Sequence, residues 1–192
     1  MEPEASVALV APTIEAHPYR LRPFSMSDTG LIARAGKDPH IPLITSVPTS
    51  DDPTLLQAFI QRQHRRLINR SGYSLAIADA ATDQAVGQVG RWLHNLTHGI
   101  ASIGYWVDPE QRRRGAAGHA LAAMSRWGLS QPHIDRLELY LEPWNEGSWH
   151  TAESCGYQRE GLMRSWRRIA GQRKDLFMYS LLPSDLPSTA GG

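Results

Sequence analysis

The chain has 192 residues, of which 41% are hydrophobic and 20% are charged, and its formal net charge is +1. This length suits one well-packed domain and is short for two. The near-neutral charge excludes a global field that would draw the chain onto nucleic acid or a membrane surface. Cys155 is the only cysteine, which excludes an intrachain disulfide and favours a reducing, cytoplasmic location.

The two ends of the chain differ in composition from the middle. No apolar run approaches the roughly 20 residues that span a bilayer, and the start Met1-Glu2-Pro3-Glu4 lacks the basic region of a signal peptide. We expect residues 1–18 to form a flexible extension and residues 183–192 to form a flexible polar tail. Between them, residues 19–182 are predicted to form a single domain.

Hydrophobic periodicity and capping residues predict the elements of the first half of the domain. In chain order these are a strand at Tyr19–Pro23, a short helix from Asp28 to about Ala35, a proline-rich loop at Pro39–Asp51, a helix from an N-cap at Asp52 to about Asn69, and strands at Tyr73–Asp79, Ala85–His94 and Ile100–Val107.

The second half predicts helices and strands in alternation. They are a helix at Ala116–Leu129, a strand at Arg136–Leu141, a short helix at Ser148–Ser154, and strands at Leu162–Ile169 and Lys174–Leu182 around a Gly171-Gln172 turn. Antiparallel strands followed by a strand–helix–strand unit indicate a mixed α/β domain.

A run of arginines lies between the Ile100–Val107 strand and the following helix. It reads Arg112-Arg113-Arg114-Gly115-Ala116-Ala117-Gly118. Helix N-termini present free N–H groups and partial positive charge, so they bind anions, and glycine allows close approach of the backbone. This order therefore favours a site for a polyphosphate. Neither the Walker pattern nor the dinucleotide G-x-G-x-x-G pattern fits the spacing.

These residues resemble the GNAT superfamily of N-acetyltransferases. Arg112-x-x-Gly115-x-Ala117 matches the [QR]-x-x-G-x-[GA] signature, and the chain resembles the RimJ/RimL branch over about residues 19–182. The other matching segments, in order, are Tyr19–Pro23 with Asp28, Ile103–Pro109, Glu142–Ser148, Cys155–Tyr157 with Glu160-Gly161, and Gly171–Leu182.

The resemblance implies a GNAT-type fold with a mostly antiparallel central sheet flanked by helices and a splayed pair of strands. Strand Ile103–Val107 would part from Arg136–Leu141, and acetyl-CoA would lie in the gap. The Val107 amide, at a bulge in the family, would stabilise the oxyanion.

The same resemblance implies which residues hold the cofactor. The backbone amides of the arginine run would hold the pyrophosphate, with Arg112 or Arg114 neutralising it. This run comprises Arg112, Arg113, Arg114, Gly115, Ala117 and Gly118. Asn145 and Ser148 would lie near the pantetheine arm, and Ser148 is also a plausible N-cap of the following helix. No metal site is predicted.

Two positions depart from the family pattern. Many GNAT enzymes carry a tyrosine that protonates the leaving thiolate where this chain has Ala152, so the general acid is unassigned, with Ser148 a weaker candidate; Tyr157 is interpreted as core. The branch often has a glutamate where this chain has Ser102. Substitutes for the base are His94, His98 and Glu138, although each histidine is more simply a solvated loop residue.

The leading hypothesis is an acetyl-CoA-dependent N-acetyltransferase in which a primary amine attacks the thioester directly. The acceptor would be a protein N-terminus or a small molecule, and an α-amine fits somewhat better because its pKa lies near 8 rather than near 10.4. The segment Pro39–Asp51 and the helix behind it would cover the acceptor, and five tryptophans surround the predicted cleft. These are Trp92, Trp106, Trp144, Trp149 and Trp166.

Several alternatives stay open at this point. One is a GNAT-fold protein that binds acyl-CoA without efficient turnover and acts as a sensor or interaction module; another is an acyltransferase that uses succinyl-CoA. Nucleic-acid binding through Arg112–Arg114 has little support, because the run lacks interleaved aromatic residues. No membrane partner is expected, and assembly into a homodimer is left open.

Overall fold

A computed structural model of the chain describes residues 11–187. Within that range the strands are β1 Ile14–Ala16, β2 Tyr19–Arg22, β3 Gly72–Asp79, β4 Ala85–Asn95, β5 Ile100–Val107, β6 Arg136–Leu141, β7 Gln158–Ile169 and β8 Gln172–Leu181. The helices are α1 Thr29–Ala35, α2 Ile41–Ile44, α3 Pro53–Ile68, α4 Ala116–Leu129 and α5 Glu146–Ser154.

The strands form one eight-stranded sheet in the order β1-β2-β3-β4-β5-β6-β8-β7. Each neighbouring pair runs antiparallel except β5 and β6, which are parallel. The connection between these two strands carries α4, because parallel strands require a crossover. The predicted mixed α/β fold with a mostly antiparallel sheet and flanking helices is confirmed.

Helices cover both faces of the sheet and create two hydrophobic clusters. On one face, α4 buries Leu121 and Met124 against strand residues such as Leu137. On the other face, α3 buries Phe59 and Ile60 beside α1 and the indole of Trp106. Burial from both sides explains why the central strands β3, β4 and β5 carry only two charged residues, Asp79 and Arg91.

The chain starts its fold earlier than the sequence predicts. Ile14–Ala16 pairs antiparallel with β2, and Ala16 is only 5% exposed, so the predicted flexible extension is wrong for this stretch. A strand of only three residues is too short to show an alternating hydrophobic pattern in the sequence. At the other end, Pro183–Asp185 forms a 3₁₀ turn within the predicted tail. Residues 1–10 and 188–192 lie outside the described residues.

Two helices also differ from the predicted boundaries. The short helix α2 lies inside the segment expected to be a loop, because Asp38 accepts hydrogen bonds from the backbone amides of His40 and Ile41 at its start. Helix α5 begins at Glu146 rather than Ser148, with Asn145 as its N-cap. No helix in residues 11–187 is long and apolar enough to cross a membrane. The predicted cytoplasmic location stays a prediction.

Two ion pairs fasten the segment after β5 to the end of α1. Arg34 Nε lies 2.6 Å from Asp108 Oδ2, and Arg112 Nη2 lies 2.7 Å from Asp38 Oδ2. Both carboxylates are buried, and Asp108 also accepts a hydrogen bond from the Glu110 amide. Because each pair joins positions far apart in the chain, together they set where the arginine run lies relative to the sheet.

Replacing Asp108 should therefore destabilise the fold more than removing an exposed ion pair. We expect Asp108→Asn to lower the free energy of unfolding by about 2 kcal/mol, because a buried charge-assisted hydrogen bond to Arg34 is lost. The control Asp51→Asn removes the exposed pair with Lys37 and should cost less than about 1 kcal/mol. Urea unfolding of both variants measures the difference. Equal losses would show that the Asp108 pair does not anchor this segment.

Candidate active site

The central feature of the site is a gap between β5 and β6. The two strands pair only from Ile100–Arg136 to Ser102–Glu138 and carry no further ladder within the described residues. A cleft of about 700 Å³ occupies the gap and the space around it. The splayed strand pair that the resemblance implies is therefore present.

The backbone of β5 turns toward this gap at Tyr105 and Val107. Asp108 donates its amide to the Val86 carbonyl at 2.9 Å, and Val107 lies opposite Gly87. In an antiparallel ladder the hydrogen-bonded groups alternate, so the amides of Tyr105 and Val107 face away from β4. The Val107 carbonyl accepts from Arg112 Nε at 3.1 Å, on the same side.

The bulge expected at Val107 is absent. The register between β4 and β5 runs without a shift from Gly87–Val107 to Trp92–Ser102, and its irregularity comes later, between Trp92 and Asn95. The bulge was implied by the family alone, and no feature of the residues required it. The Val107 amide faces the gap through ordinary strand alternation instead.

Helix α4 begins with backbone conformations that leave its first amides free. Gly115 is the N-cap with φ of 80°, and Arg113 before it has φ of 63°. The first helical hydrogen bond runs from the His119 amide to the Gly115 carbonyl, so the amides of Ala116, Ala117 and Gly118 have no partner in the helix. A Cβ added at Gly118 would meet nothing within 4 Å. This N-terminus can hold an anion.

The arginines beside this N-terminus are of two kinds. Arg112 is committed to Asp38 and to the Val107 carbonyl. Burial opposes ionisation of Asp38, but hydrogen bonds from the Ile41 and His40 amides and the charge of Arg112 hold its pKa below the usual range. Arg113 and Arg114 are exposed and form no ion pair within residues 11–187. Arg112 therefore anchors the loop after β5 to Asp38, at the end of α1.

Asn145 and Ser148 lie on the opposite side of the gap, and both line the cleft. Asn145 caps α5 by accepting from the Ser148 amide at 3.3 Å, so the cap predicted at Ser148 lies at Asn145. The Tyr105 hydroxyl donates to the Ser148 carbonyl at 2.9 Å and joins β5 to α5. Burial raises the pKa of Tyr105 well above its usual value.

Ser102 and Glu138 are neighbours where the two strands separate. Ser102 lines the cleft, whereas both oxygens of the buried Glu138 carboxylate are occupied. Arg136 Nε donates to Oε1 at 2.8 Å, and the Tyr140 hydroxyl donates to Oε2 at 2.6 Å. Burial, followed by the hydrogen bond to Glu138, raises the pKa of Tyr140 to about 12. Each oxygen of the Glu138 carboxylate thus already accepts a hydrogen bond, and Glu138 is not among the residues that line the cleft.

The far end of the cleft is enclosed by segments from both halves of the chain. The lining of this end comes from Pro39–Asp51, the segment predicted to cover the acceptor, and from α3, the end of β4 and the end of the β7–β8 hairpin. The members outside the gap itself are His40, Leu43, Ile44, Thr45, Ser46, Phe59, Arg66, Trp92, His94, Trp144, Trp166, Arg167, Arg168, Ile169 and Leu176. His94 is exposed at the rim, and His98 is not part of the lining.

Two glycines make room for an indole in the wall of this cleft. A Cβ at Gly90 would lie 2.7 Å from the Trp92 ring, and one at Gly104 would lie 3.1 Å from it. Trp92 therefore lies over the bare backbone of β4 and β5. Trp144 is 52% exposed and its ring lies 4.4 Å from that of His40. Of the five tryptophans, Trp149 is the one outside the cleft lining.

A buried chain of hydrogen bonds, absent from the sequence expectations, links the gap to α3. The Trp106 indole donates to Gln88, Gln88 donates to Ser74, and Ser74 donates to Gln63, over 2.8, 2.7 and 3.0 Å. Arg66 Nε donates to the same Gln63 oxygen at 3.1 Å. Polar residues spread over a helix and two strands give no spacing signal that they meet.

Two further expectations concern residues outside the cleft. Tyr157 is buried and hydrogen-bonded to Ser125 at 2.8 Å, which confirms that it belongs to the core. Ala152, where many relatives carry a tyrosine, is fully buried. Within residues 11–187, no three potential metal ligands lie together.

Comparison with known proteins identifies the fold and the family. The Acetyltransferase (GNAT) domain model matches residues 19–158. An uncharacterized N-acetyltransferase, p20 of Bacillus licheniformis, is 24% identical over 170 residues, which cover 88% of this chain and 96% of that protein.

Solved structures of the same fold include two that hold coenzyme A. RimJ of Mycobacterium smegmatis, in complex with CoA-disulfide, has a TM-score of 0.77 at 21% identity and covers 92% of this chain and 90% of its own. RimL, a ribosomal alpha-N-protein acetyltransferase in complex with coenzyme A, has a TM-score of 0.74 at 16% identity and covers 89% and 98%. At these identities the likeness establishes the fold.

The Glu138 carboxylate should raise the pKa of the Tyr140 hydroxyl, which donates a hydrogen bond to it. We expect Glu138→Gln to move the pKa of Tyr140 downward from about 12, because a neutral amide no longer disfavours the phenolate. Ultraviolet titration of tyrosinate measures the shift, with Tyr140→Phe assigning the transition. An unchanged or higher pKa in Glu138→Gln would mean that the carboxylate does not control this hydroxyl.

Proposed function

The chain belongs to the GNAT acetyltransferase family, and on that premise we propose that it transfers an acetyl group from acetyl-CoA to a primary amine by direct attack. The observation that carries the proposal is the gap between β5 and β6, with unpaired backbone amides along one edge, which opens into a cleft of about 700 Å³. The structures of RimJ and RimL with coenzyme A or its disulfide support a CoA thioester as the donor.

Each part of the donor has a matching feature. The free amides of Ala116, Ala117 and Gly118 suit the pyrophosphate, and the unpaired charges of Arg113 and Arg114 beside them add attraction. The pantetheine arm would extend along the open β5 edge, where backbone amides are free to pair with it. Asn145 and Ser148 line the other side of the same channel.

The Val107 amide is the proposed donor to the oxyanion. A neutral amine attacks the thioester carbonyl carbon, and a C–N bond forms as negative charge develops on oxygen. The C–S bond then breaks, and the electron pair leaves with sulfur. The amine proton and the thiolate together account for the free thiol product. Holding both reactants in one cleft supplies most of the advantage.

Proton removal is assigned to groups that line the cleft. Glu138 is bound by Arg136 and Tyr140, so it is a poor candidate for the base. Ser102 lines the cleft but is a weak base, which leaves it a role in passing the proton to water. His94 at the rim and Glu142 in the lining have side chains that can accept a proton. The sequence reading did not weigh Glu142.

The acceptor is proposed to be an α-amine, on a protein N-terminus or a small molecule. An α-amine is often already neutral near pH 8, whereas a lysine amine needs a stronger base. The RimL structure is that of an alpha-N-protein acetyltransferase, which accords with this choice. A binding module that holds acyl-CoA without turnover is the second candidate, and the burial of Ala152, where a general acid would stand, favours it.

The test is thiol release from acetyl-CoA with a panel of amines, run on the wild-type chain and on Gly118→Leu. We expect turnover with peptide α-amines in the wild type. Gly118→Leu should raise the KM for acetyl-CoA strongly, because a side chain would fill the open space before α4. It should not lower the free energy of unfolding, since glycine inside a helix is destabilising by about 1 kcal/mol relative to alanine.

Gly161→Leu is the matched control, because its Cβ also meets nothing within 4 Å but lies in β7, away from the loop. Wild-type acetyl-CoA binding in Gly118→Leu would refute the pyrophosphate site. Stabilisation by acetyl-CoA without thiol release from any acyl-CoA or amine would favour the binding module.

A further inference from the structure

The far end of the cleft carries positive charge that the protein leaves unpaired. Arg66, Arg167 and Arg168 line it, and none of them forms an ion pair within residues 11–187. The Arg167 side chain makes no hydrogen bond there either, and the Arg168 side chain donates only to the Gly171 carbonyl of its own hairpin. Glu142 is the one carboxylate in the lining of the described cleft.

Two other arginines in the same half of the sheet do form ion pairs. Arg136 pairs with both Glu138 and Glu160, and Arg159 pairs with Glu153. Arg164, Arg173 and Lys174 of the hairpin also form no ion pair within residues 11–187, but none of them lines the cleft. Arg66, Arg167 and Arg168, in contrast, share one lining that contains a single carboxylate. This contrast points to a charge that arrives with a ligand.

A hydrogen bond to a buried residue orients the side chain of Arg66. Its Nε donates to Gln63, which belongs to the buried chain of hydrogen bonds that ends at Trp106 in the gap. Its guanidinium also lies 6.0 Å from the Trp92 ring centroid. Within the described residues the terminal nitrogens of Arg66 have no hydrogen-bond partner. The planar guanidinium group is therefore oriented, and its outer N–H donors are free. Such a group matches a carboxylate or a phosphate.

Building on the proposed function, we propose that the acceptor is an amine that carries a carboxylate or phosphate near the reacting nitrogen, bound by Arg66 and Arg167. The same cations repel an ammonium ion, so they disfavour polyamines and lysine-rich acceptors. They also favour the neutral form of the bound amine, which is the form that attacks. A cationic cleft thus reduces the need for the carboxylate base that the chain lacks at Ser102.

The experiment compares tripeptide amides that differ at one position: Ala-Asp-Ala, Ala-Asn-Ala, Ala-Lys-Ala and the phosphoserine analogue. We expect kcat/KM for the aspartate peptide to exceed that for its isosteric asparagine partner by about tenfold, as one charge-assisted contact allows. The lysine peptide should be slowest. Comparing aspartate with phosphoserine shows which anion fits better. Equal rates for aspartate and asparagine, or a faster lysine peptide, would overturn the proposal.

Variants locate the effect in the cleft. Arg66→Gln and Arg167→Gln should each bring the aspartate-to-asparagine ratio of kcat/KM toward one, chiefly by lowering kcat/KM for the aspartate peptide. Arg167 is exposed, so its replacement leaves the fold intact even if Arg66→Gln disturbs Gln63. Arg164→Gln is the control, because this arginine is also exposed in β7 but does not line the cleft. A ratio that survives in Arg167→Gln and Arg66→Gln would contradict the assignment.

A binding arm separates this proposal from the proposed function. Calorimetry with the N-acetylated forms of the same peptides, added to the CoA-saturated protein, needs no turnover. Tighter binding of the acetylated aspartate peptide supports the anion site even if no peptide reacts, in which case only the proposed function fails. Equal binding of all the acetylated peptides refutes the anion site whether or not turnover is seen.

Discussion

The site depends on β5 and β6 pairing for three residues and then parting. Up to Ser102 and Glu138 the two strands share a ladder, and beyond them the backbone of β5 has an edge with no strand against it. An unpaired polar backbone buried inside a protein is unfavourable, so the fold must hold the gap open by other contacts. The Tyr105 hydroxyl bond to the Ser148 carbonyl and the crossover through α4 both act there.

The ion pairs after β5 continue the same arrangement into the loop. Asp108 and Asp38 are buried acceptors fixed by Arg34 and Arg112, and they place Gly115 at the start of α4 next to the open edge. In this way one end of the gap presents free helix amides and exposed cations, while the other presents aromatic rings and unpaired arginines. The two ends suit the two reactants of an acyl transfer, a pyrophosphate-bearing thioester and an anionic amine.

The sequence was informative where local rules govern structure and less so where distant residues meet. Alternation and capping predicted β5, β6 and α4 with the bounds that the structure has, and the arginine–glycine run identified the helix N-terminus. The three-residue strand β1 was missed because so short a segment has no measurable period. The ion pair of Arg112 could not be foreseen because its partner, Asp38, lies far away in the chain.

The acceptor end shows the same limit more strongly. Arg66, Trp92 and Arg167 come from α3, β4 and β7, and nothing in their spacing indicates that they share a cleft. Gln63, Ser74 and Gln88 are ordinary polar residues in sequence, yet they form the buried chain that orients Arg66. Glu138 was predicted as a substitute for the base, but the sequence could not show that Arg136 and Tyr140 donate hydrogen bonds to its carboxylate.

The most direct test of this account is amide hydrogen exchange by NMR, with and without acetyl-CoA. The account predicts that the cofactor slows exchange at the Tyr105, Val107 and Gly118 amides, which have no partner in the free protein, because it supplies their acceptors. The Trp106 amide, which faces β4 through strand alternation, should change far less. The account claims that the open strand edge and the α4 N-terminus together hold the donor. It would be contradicted if the cofactor slowed exchange at Trp106 as much as at Val107, or did not slow exchange at Gly118.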